Sequence, residues 1–267
     1  MSKLIAVFNE FKKLDYTLSI EEERDIIAKY VHSTNQLEGN QLTLEQTKTI
    51  IDKGVLSGEN INFKDVLEQK GTYKALLRMI NAVINKEPLS IELIKELNWL
   101  CIGLLYQDDY YLSYKKEGQK QGNFKVKNNR IEITLANGEV IFRNPISTEK
   151  TVETNMKMLV KQIENSEKDV IDKASFLAQE IWLHQPFMDG NKRTGRLLIN
   201  FLTMKEGFPL FAYDDKGVLF NSMLVEQCVY SKSNLIQDFI SNALINRMEE
   251  IIKLKPNNPF KGFRFVL

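Results

Sequence analysis

Histidine and cysteine are scarce in this chain, two of each among 267 residues. Cys101 and Cys228 lie far apart with no metal-ligand spacing. A cysteine-based metal cluster is therefore not expected, and free thiols in a reducing compartment are. An excess of one charge is also missing. The formal net charge is +1 with 27% charged residues, which leaves no broad basic field for nucleic acid. Long apolar runs are absent too. The patch from Leu4 to Phe8 is broken by Asn9 and Glu10 and makes no convincing signal peptide. No stretch is long enough to span a bilayer, so no membrane association is expected and the cytoplasm is the default location. There is no internal repeat.

What remains is a chain with 43% hydrophobic residues, enough for a sizeable core in one large domain or two small ones. The apolar spacing is mostly helical. It predicts helices over residues 20–37, 44–53, 63–84, 91–106, 149–163, 172–184, 193–206 and 233–252. Thr43 with Gln46 makes a capping-box start, and Ser90 caps the helix that follows it. One β element interrupts the series. Residues 130–135 and 139–142 carry alternating or clustered apolar residues around Asn137-Gly138, a strong hairpin signal. The expected fold is mainly all-α with a single hairpin.

The densest chemistry lies at residues 184–196, His-Gln-Pro-Phe-Met-Asp-Gly-Asn-Lys-Arg-Thr-Gly-Arg. An apolar helical run precedes this turn and another follows it. A helix that opens on such a loop presents free N–H groups and a positive dipole end, which is an anion site. Arg193 and Arg196 add forked donors suited to phosphate, and Asp189 adds a hard oxygen ligand for Mg²⁺. The residues read as a nucleotide-phosphate site with a divalent cation. The spacing from Gly190 to Gly195 imitates a P-loop. But Arg196 and Leu197 stand where Lys and Ser/Thr are required, and the preceding segment is helical, so the P-loop is rejected. A plain solvated loop does not need this density of Asp, Gly-Asn and Arg.

The run Pro186-Phe187-x-Asp189-Gly190-Asn191-x-Arg193-x-x-Arg196 resembles the signature of the Fic (Fido) family. The stretch from Leu197 to Pro209 resembles that family's helix after the signature, and the wider likeness covers roughly residues 20–245. The resemblance implies a protein adenylyltransferase that moves AMP from ATP to a hydroxyl of a target protein. It implies Asp189 as the Mg²⁺ ligand. It places Gly190, Asn191, Lys192, Arg193, Thr194, Gly195 and Arg196 around the nucleotide phosphates, with Arg193 also stabilising the transition state. ATP, Mg²⁺ and a protein substrate are the implied partners.

A second motif, Thr34-x-x-x-Glu38-Gly39, matches the family's inhibitory pattern, placed ahead of the core as in the subgroup with an N-terminal inhibitory helix. The resemblance implies that Glu38 pairs with Arg196 and blocks productive ATP binding by occupying its donors and repelling like charge. An ordinary helix end, with Gly39 as its C′ residue, explains the same residues. The hairpin, residues Arg130, Ile131, Glu132, Ile133, Thr134 and Leu135 with their partner strand, matches by position the family's flap, whose strand edge docks an extended segment of the target.

One departure is central. The family's general base is a His immediately before the Pro-Phe of the signature, and here that position is Gln185. A carboxamide has no useful basicity, and losing a positioned base costs about 10²–10⁴ in rate. His184 lies one residue earlier, and a one-residue shift on a helix turns a side chain by about 100°. Either His184 serves as base after a local rearrangement, or the domain binds nucleotide without transferring it. His32 has no partner motif and reads as structural. Lys192 is a smaller departure that occurs in kinase-like and adenylyl-transferring members alike. Three functions stay open: an autoinhibited adenylyltransferase, a nucleotide-binding pseudoenzyme, and a related protein phosphotransferase or deAMPylase.

The expected organisation is an N-terminal helical region over residues 1–88, with the inhibitory helix at about 22–38, a Fic core over 89–250, and a tail over 251–267. The helices end near Ile252, and the C-terminal DNA-binding domain carried by many relatives is not expected. The double-Tyr motif that many relatives place downstream is missing at 219–230, so no adenine-pocket residues are assigned. The sequence leaves a homo-oligomer open.

Overall fold

A computed structural model describes residues 2–14, 18–56, 58, 61–107, 122–134, 137–213 and 234–254. Its helices are α1 (Ser2–Lys13), α2 (Ile20–Gln36), α3 (Leu44–Lys53), α4 (Phe63–Ile84) and α5 (Ile91–Gln107). The hairpin follows, β1 (Ile131–Thr134) with β2 (Val140–Arg143). Then come α6 (Val152–Glu164), α7 (Val170–His184), α8 (Asn191–Lys205) and α9 (Asn234–Leu254). The fold is mostly helical with one small antiparallel sheet. Among the described residues no helix is long and apolar enough to cross a membrane.

Local sequence sets most helix starts. Ser19 with Glu22 and Thr43 with Gln46 form complete capping boxes at α2 and α3. Asn62 and Asp169 cap α4 and α7 with single side-chain bonds. Ser90 Oγ accepts from the Leu93 N–H at 3.1 Å at the start of α5. Gly54, at φ 71°, closes α3 in the left-handed region that only glycine enters cheaply.

The helices converge on one apolar cluster that runs from Leu4 to Ile251 and includes Tyr30, Leu76, Ile94, Met156, Trp182, Phe201 and Ile240. The helix α1 was not anticipated. Its Leu4, Val7 and Phe11 are buried at helical spacing against α9, which makes it a core element. The start of α6 lies three residues later than expected, at Val152. The start of α8 lies two residues earlier, at Asn191, because Gly190 at φ 76° turns the chain there.

Centrally, α4 packs on α5 and α7 on α8. Close approach explains two glycines. A Cβ on Gly71 would overlap the Cys101 carbonyl of α5, and one on Gly195 would strike the Trp182 indole of α7.

Leu135, Cys228, the stretch 219–230 and the tail 255–267 lie outside the described residues.

Candidate nucleotide site

The signature turn is built by α7 stopping and α8 starting within six residues. At the stop, Gln185 takes φ 45° and ψ 61°, and its N–H donates to Ile181 O at 3.0 Å. Asn191 ties the turn together. Its Oδ1 accepts from Phe187 N–H at 2.9 Å, and its Nδ2 donates to Phe187 O at 2.8 Å and to Gln185 Oε1 at 2.9 Å. Asn98 on α5 fixes the other side by donating to the Asp189 carbonyl at 2.9 Å and to Thr194 Oγ1 at 3.1 Å. A Cβ on Gly190 would come within 2.8 Å of Ile102 and 2.9 Å of Asn98. The turn thus lies flat on α5. Gly190 offers no side chain to cap α8. The start of that helix keeps the dipole and amide character of an anion site.

Two buried arginines flank this helix start. Arg196, fully buried, donates through Nη2 to Glu38 Oε1 at 2.6 Å. Its Nε donates to Thr34 Oγ1 at 2.6 Å, and its Nη2 also reaches Thr34 O at 3.0 Å. Lys192 Nζ stands 3.7 Å from Glu38 Oε2. Burial would raise the Glu38 carboxyl, but Arg196, Lys192 and Arg193 outweigh it and hold the group below its ordinary value. Gly39, at φ 90°, ends the turn that carries Glu38. The motif is thus a glycine-terminated helix end whose carboxylate sits on Arg196.

Arg193 faces three acidic or polar partners. Its Nη1 lies 3.3 Å from Asn35 Oδ1 and 3.4 Å from Glu68 Oε1, and its Nη2 lies 3.9 Å from Asp189 Oδ1. Burial disfavours its charge, yet Asp189, Glu68 and Glu38 override this and keep the guanidinium firmly protonated. Its Nε is buried with no acceptor among the described residues. Asp189 is the most open of these groups, with a side chain 38% exposed. A single open carboxylate beside a phosphate site suits Mg²⁺, which takes its remaining oxygens from phosphates and water.

His184 and Gln185 part company. His184 is buried, and its ring is bonded on both sides, Nδ1 with Ser147 Oγ at 2.5 Å and Nε2 with Glu180 Oε2 at 3.1 Å. Gln185 stays on the turn, where Nε2 donates to Trp182 O at 2.8 Å and Oε1 accepts from Asn191.

The hairpin pairs Ile131 with Arg143, Glu132 with Phe142, Ile133 with Ile141 and Thr134 with Val140. Ile133 is buried, while Val140 and Phe142 are exposed. One end of the hairpin is tied to the signature turn and the other to the last turn of α7. Asn129, two residues before β1, donates to Phe187 O at 2.9 Å, and Ile146 N–H donates to Leu183 O at 2.9 Å. The hairpin therefore sits beside the signature turn.

Sequence reasoning missed Asn35, Glu68, Asn98, Lys125 and Asn129. Each touches the signature only through packing of distant segments. The one available signal was the polar side of α4, where Glu68, Gln69 and Thr72 share a helical face.

Residues 88–203 match the model of the Fic/DOC family. Curated relatives are the protein adenylyltransferases fic-1 of Caenorhabditis briggsae, 28% identical over 209 residues, and of Caenorhabditis elegans, 29% identical over 210. Each match takes in 75% of this chain but 36% of the relative, so the chain spans about a third of their length. Among solved structures, a Fic domain-containing signaling protein from Bacteroides thetaiotaomicron superposes with a TM-score of 0.79 at 23% identity. That match covers 96% of this chain and 97% of the other, and so shares the fold along nearly its whole length.

Proposed function

We propose that the chain moves AMP from ATP to a hydroxyl of a protein, and that Glu38 holds the site closed until it leaves Arg196. The observation that carries this is the 2.6 Å ion pair between Glu38 and Arg196 at the edge of the α8 phosphate site. A guanidinium engaged there is not available to a triphosphate, and the carboxylate repels one. Similarity to proteins named adenylyltransferases supports nucleotidyl transfer over other phosphate chemistry.

With Glu38 withdrawn, Arg196 takes the γ-phosphate. The amides near Gly190 and Asn191, with Lys192, Arg193, Thr194 and Gly195, cradle the α- and β-phosphates and stabilise charge as it develops. Asp189 would hold Mg²⁺, which would neutralise phosphate charge. A target segment pairs with the open edge of the flap. Its hydroxyl oxygen forms a bond to the α-phosphorus, the bond from that phosphorus to the bridging oxygen breaks, pyrophosphate leaves, and the hydroxyl proton is released. Gln185 cannot take that proton, and His184 must give up Ser147 or Glu180 to do so.

The Gln185 geometry favours a second reading, nucleotide binding without transfer. ATP labelled at the α-phosphate separates the two, with Glu38→Gly and Glu38→Gly/Gln185→His proteins side by side. We expect label on protein with the single variant and about 10²–10⁴ more with the double variant. ATP bound by both without label supports the second reading. Label only from the γ-position marks phosphoryl transfer, and no ATP binding by either rejects the nucleotide site.

A further inference from the structure

The segment leading into β1 grips the signature turn through an unbroken series of carbonyls. Lys125 Nζ donates to His184 O at 3.0 Å, to Ser147 O at 2.6 Å and to Asn129 Oδ1 at 3.0 Å. The Lys125 backbone N–H donates to Pro186 O at 2.7 Å. Asn129 Nδ2 reaches Gln185 O at 3.4 Å and Phe187 O at 2.9 Å. Four successive carbonyls, at 184, 185, 186 and 187, are thus held by two residues. Lys125 is 3% exposed.

The turn needs such support. The carbonyls at a helix end have no intrahelical partner. Gln185 occupies a left-handed conformation that a non-glycine residue keeps only when its surroundings impose it. Two and three residues beyond Phe187, Asp189 and Gly190 open the phosphate site. Two residues beyond Asn129, the flap begins.

We infer that Lys125 and Asn129 are positioning residues of the nucleotide site, coupling the flap's base to the turn that carries Asp189 and Gly190. This rests on the reading of that turn as a phosphate site. The clamp makes phosphate binding and flap geometry mutually dependent. It also depends on protonation, because an ammonium donates three hydrogen bonds and a neutral amine at most two. Burial pulls the Lys125 amine down to about 8, with Glu149 opposing the shift. The groups facing it are Glu149, ahead of α6, and His184 on α7, whose ring is occupied by Ser147 and Glu180.

The test measures Mg-ATP binding by calorimetry on the full chain carrying Glu38→Gly, at pH 7 and pH 9. Lys125→Met, Lys125→Arg and Asn129→Ala are compared in that background. At pH 7, Lys125→Met and Asn129→Ala should each weaken ATP about tenfold, the loss of one or two hydrogen bonds. The parent should weaken from pH 7 to pH 9, whereas Lys125→Arg, which stays protonated, should not. Parent-like affinity in both Lys125→Met and Asn129→Ala, or the same pH loss in Lys125→Arg, overturns the proposal. Amide hydrogen exchange without nucleotide covers the case in which the parent binds no ATP. Faster exchange at 187–192 in Asn129→Ala, with α2 unchanged, then supports the clamp while rejecting the nucleotide reading. Unchanged exchange rejects the clamp.

Discussion

Thr34 and Arg196, 162 residues apart, are joined by two hydrogen bonds, one to the threonine hydroxyl at 2.6 Å and one to its carbonyl at 3.0 Å. Both residues are fully buried, so the hydroxyl is what receives the guanidinium Nε–H. Thr34→Val keeps the shape and removes that acceptor. An orphaned buried donor costs about 1–3 kcal/mol, and Thr34→Ser should cost less than half of that. Urea unfolding of the two variants decides it, and equal midpoints would show that the hydroxyl contributes nothing.

The Glu38 carboxyl makes a pH prediction with a definite sign. Its folded value lies below the ordinary 4.5, so the ionised form is favoured on folding. The stabilisation is complete above the unfolded value and is lost as pH falls through the folded one. The stability difference between the parent and Glu38→Gln should therefore be flat from pH 6 to 8 and shrink below about pH 4.5. A difference that varies across the neutral range would contradict a depressed carboxyl.

Gly195 has no room for a side chain, since its Cβ would meet the Trp182 indole. Gly195→Ala gains helix propensity but overpacks α7 against α8, and a net destabilisation of about 1–3 kcal/mol is expected. Trp182 reports on the same contact, so its fluorescence should shift in the folded variant. Unchanged stability together with an unchanged emission maximum would show that the two helices separate freely.

Cys101 is buried and its thiol is pushed up to about 11 by burial, with Arg193 and Arg196 pulling the other way. Thiolate is the reactive form. Peptide mapping after alkylation at pH 8 should find Cys101 unmodified in the native protein and modified after denaturation. Labelling of the native protein would mean that α4 and α5 open readily.

Much of the helical scaffold is legible in the sequence, because its signals are local. The capping box at Thr43 and the apolar periods of α2 to α5 need no knowledge of the fold. By contrast, α1 was weighed only as a leader, although Leu4, Val7 and Phe11 already carry a helical period. The signature residues were legible because they lie side by side in the chain, and Thr34 with Glu38 because they form a short motif. Lys125, Asn129, Asn98 and Glu68 were not. Each meets the turn across a long stretch of chain, and nothing in a lone Lys or Asn foretells that it will satisfy a particular carbonyl. The side chains of His184 and Gln185 sit one residue apart, but only the fold reveals that their partners are wholly different.

The last turn of α2 is fastened far more firmly than its terminal carboxylate. Asn35 receives Thr72 and donates to Gln69, Asn40 donates to Glu68 and receives Gln69, and all of these are buried. Moving the helix would strand several polar groups at once, each at about 1–3 kcal/mol. Rotating Glu38, whose side chain is 19% exposed, gives up only its contacts with Arg196 and Lys192. On the proposed inhibitory reading, whatever withdraws Glu38 therefore works on a rotamer against a stationary post. On that reading a stimulus need break only the carboxylate's contacts with Arg196 and Lys192, and α2 can stay in place.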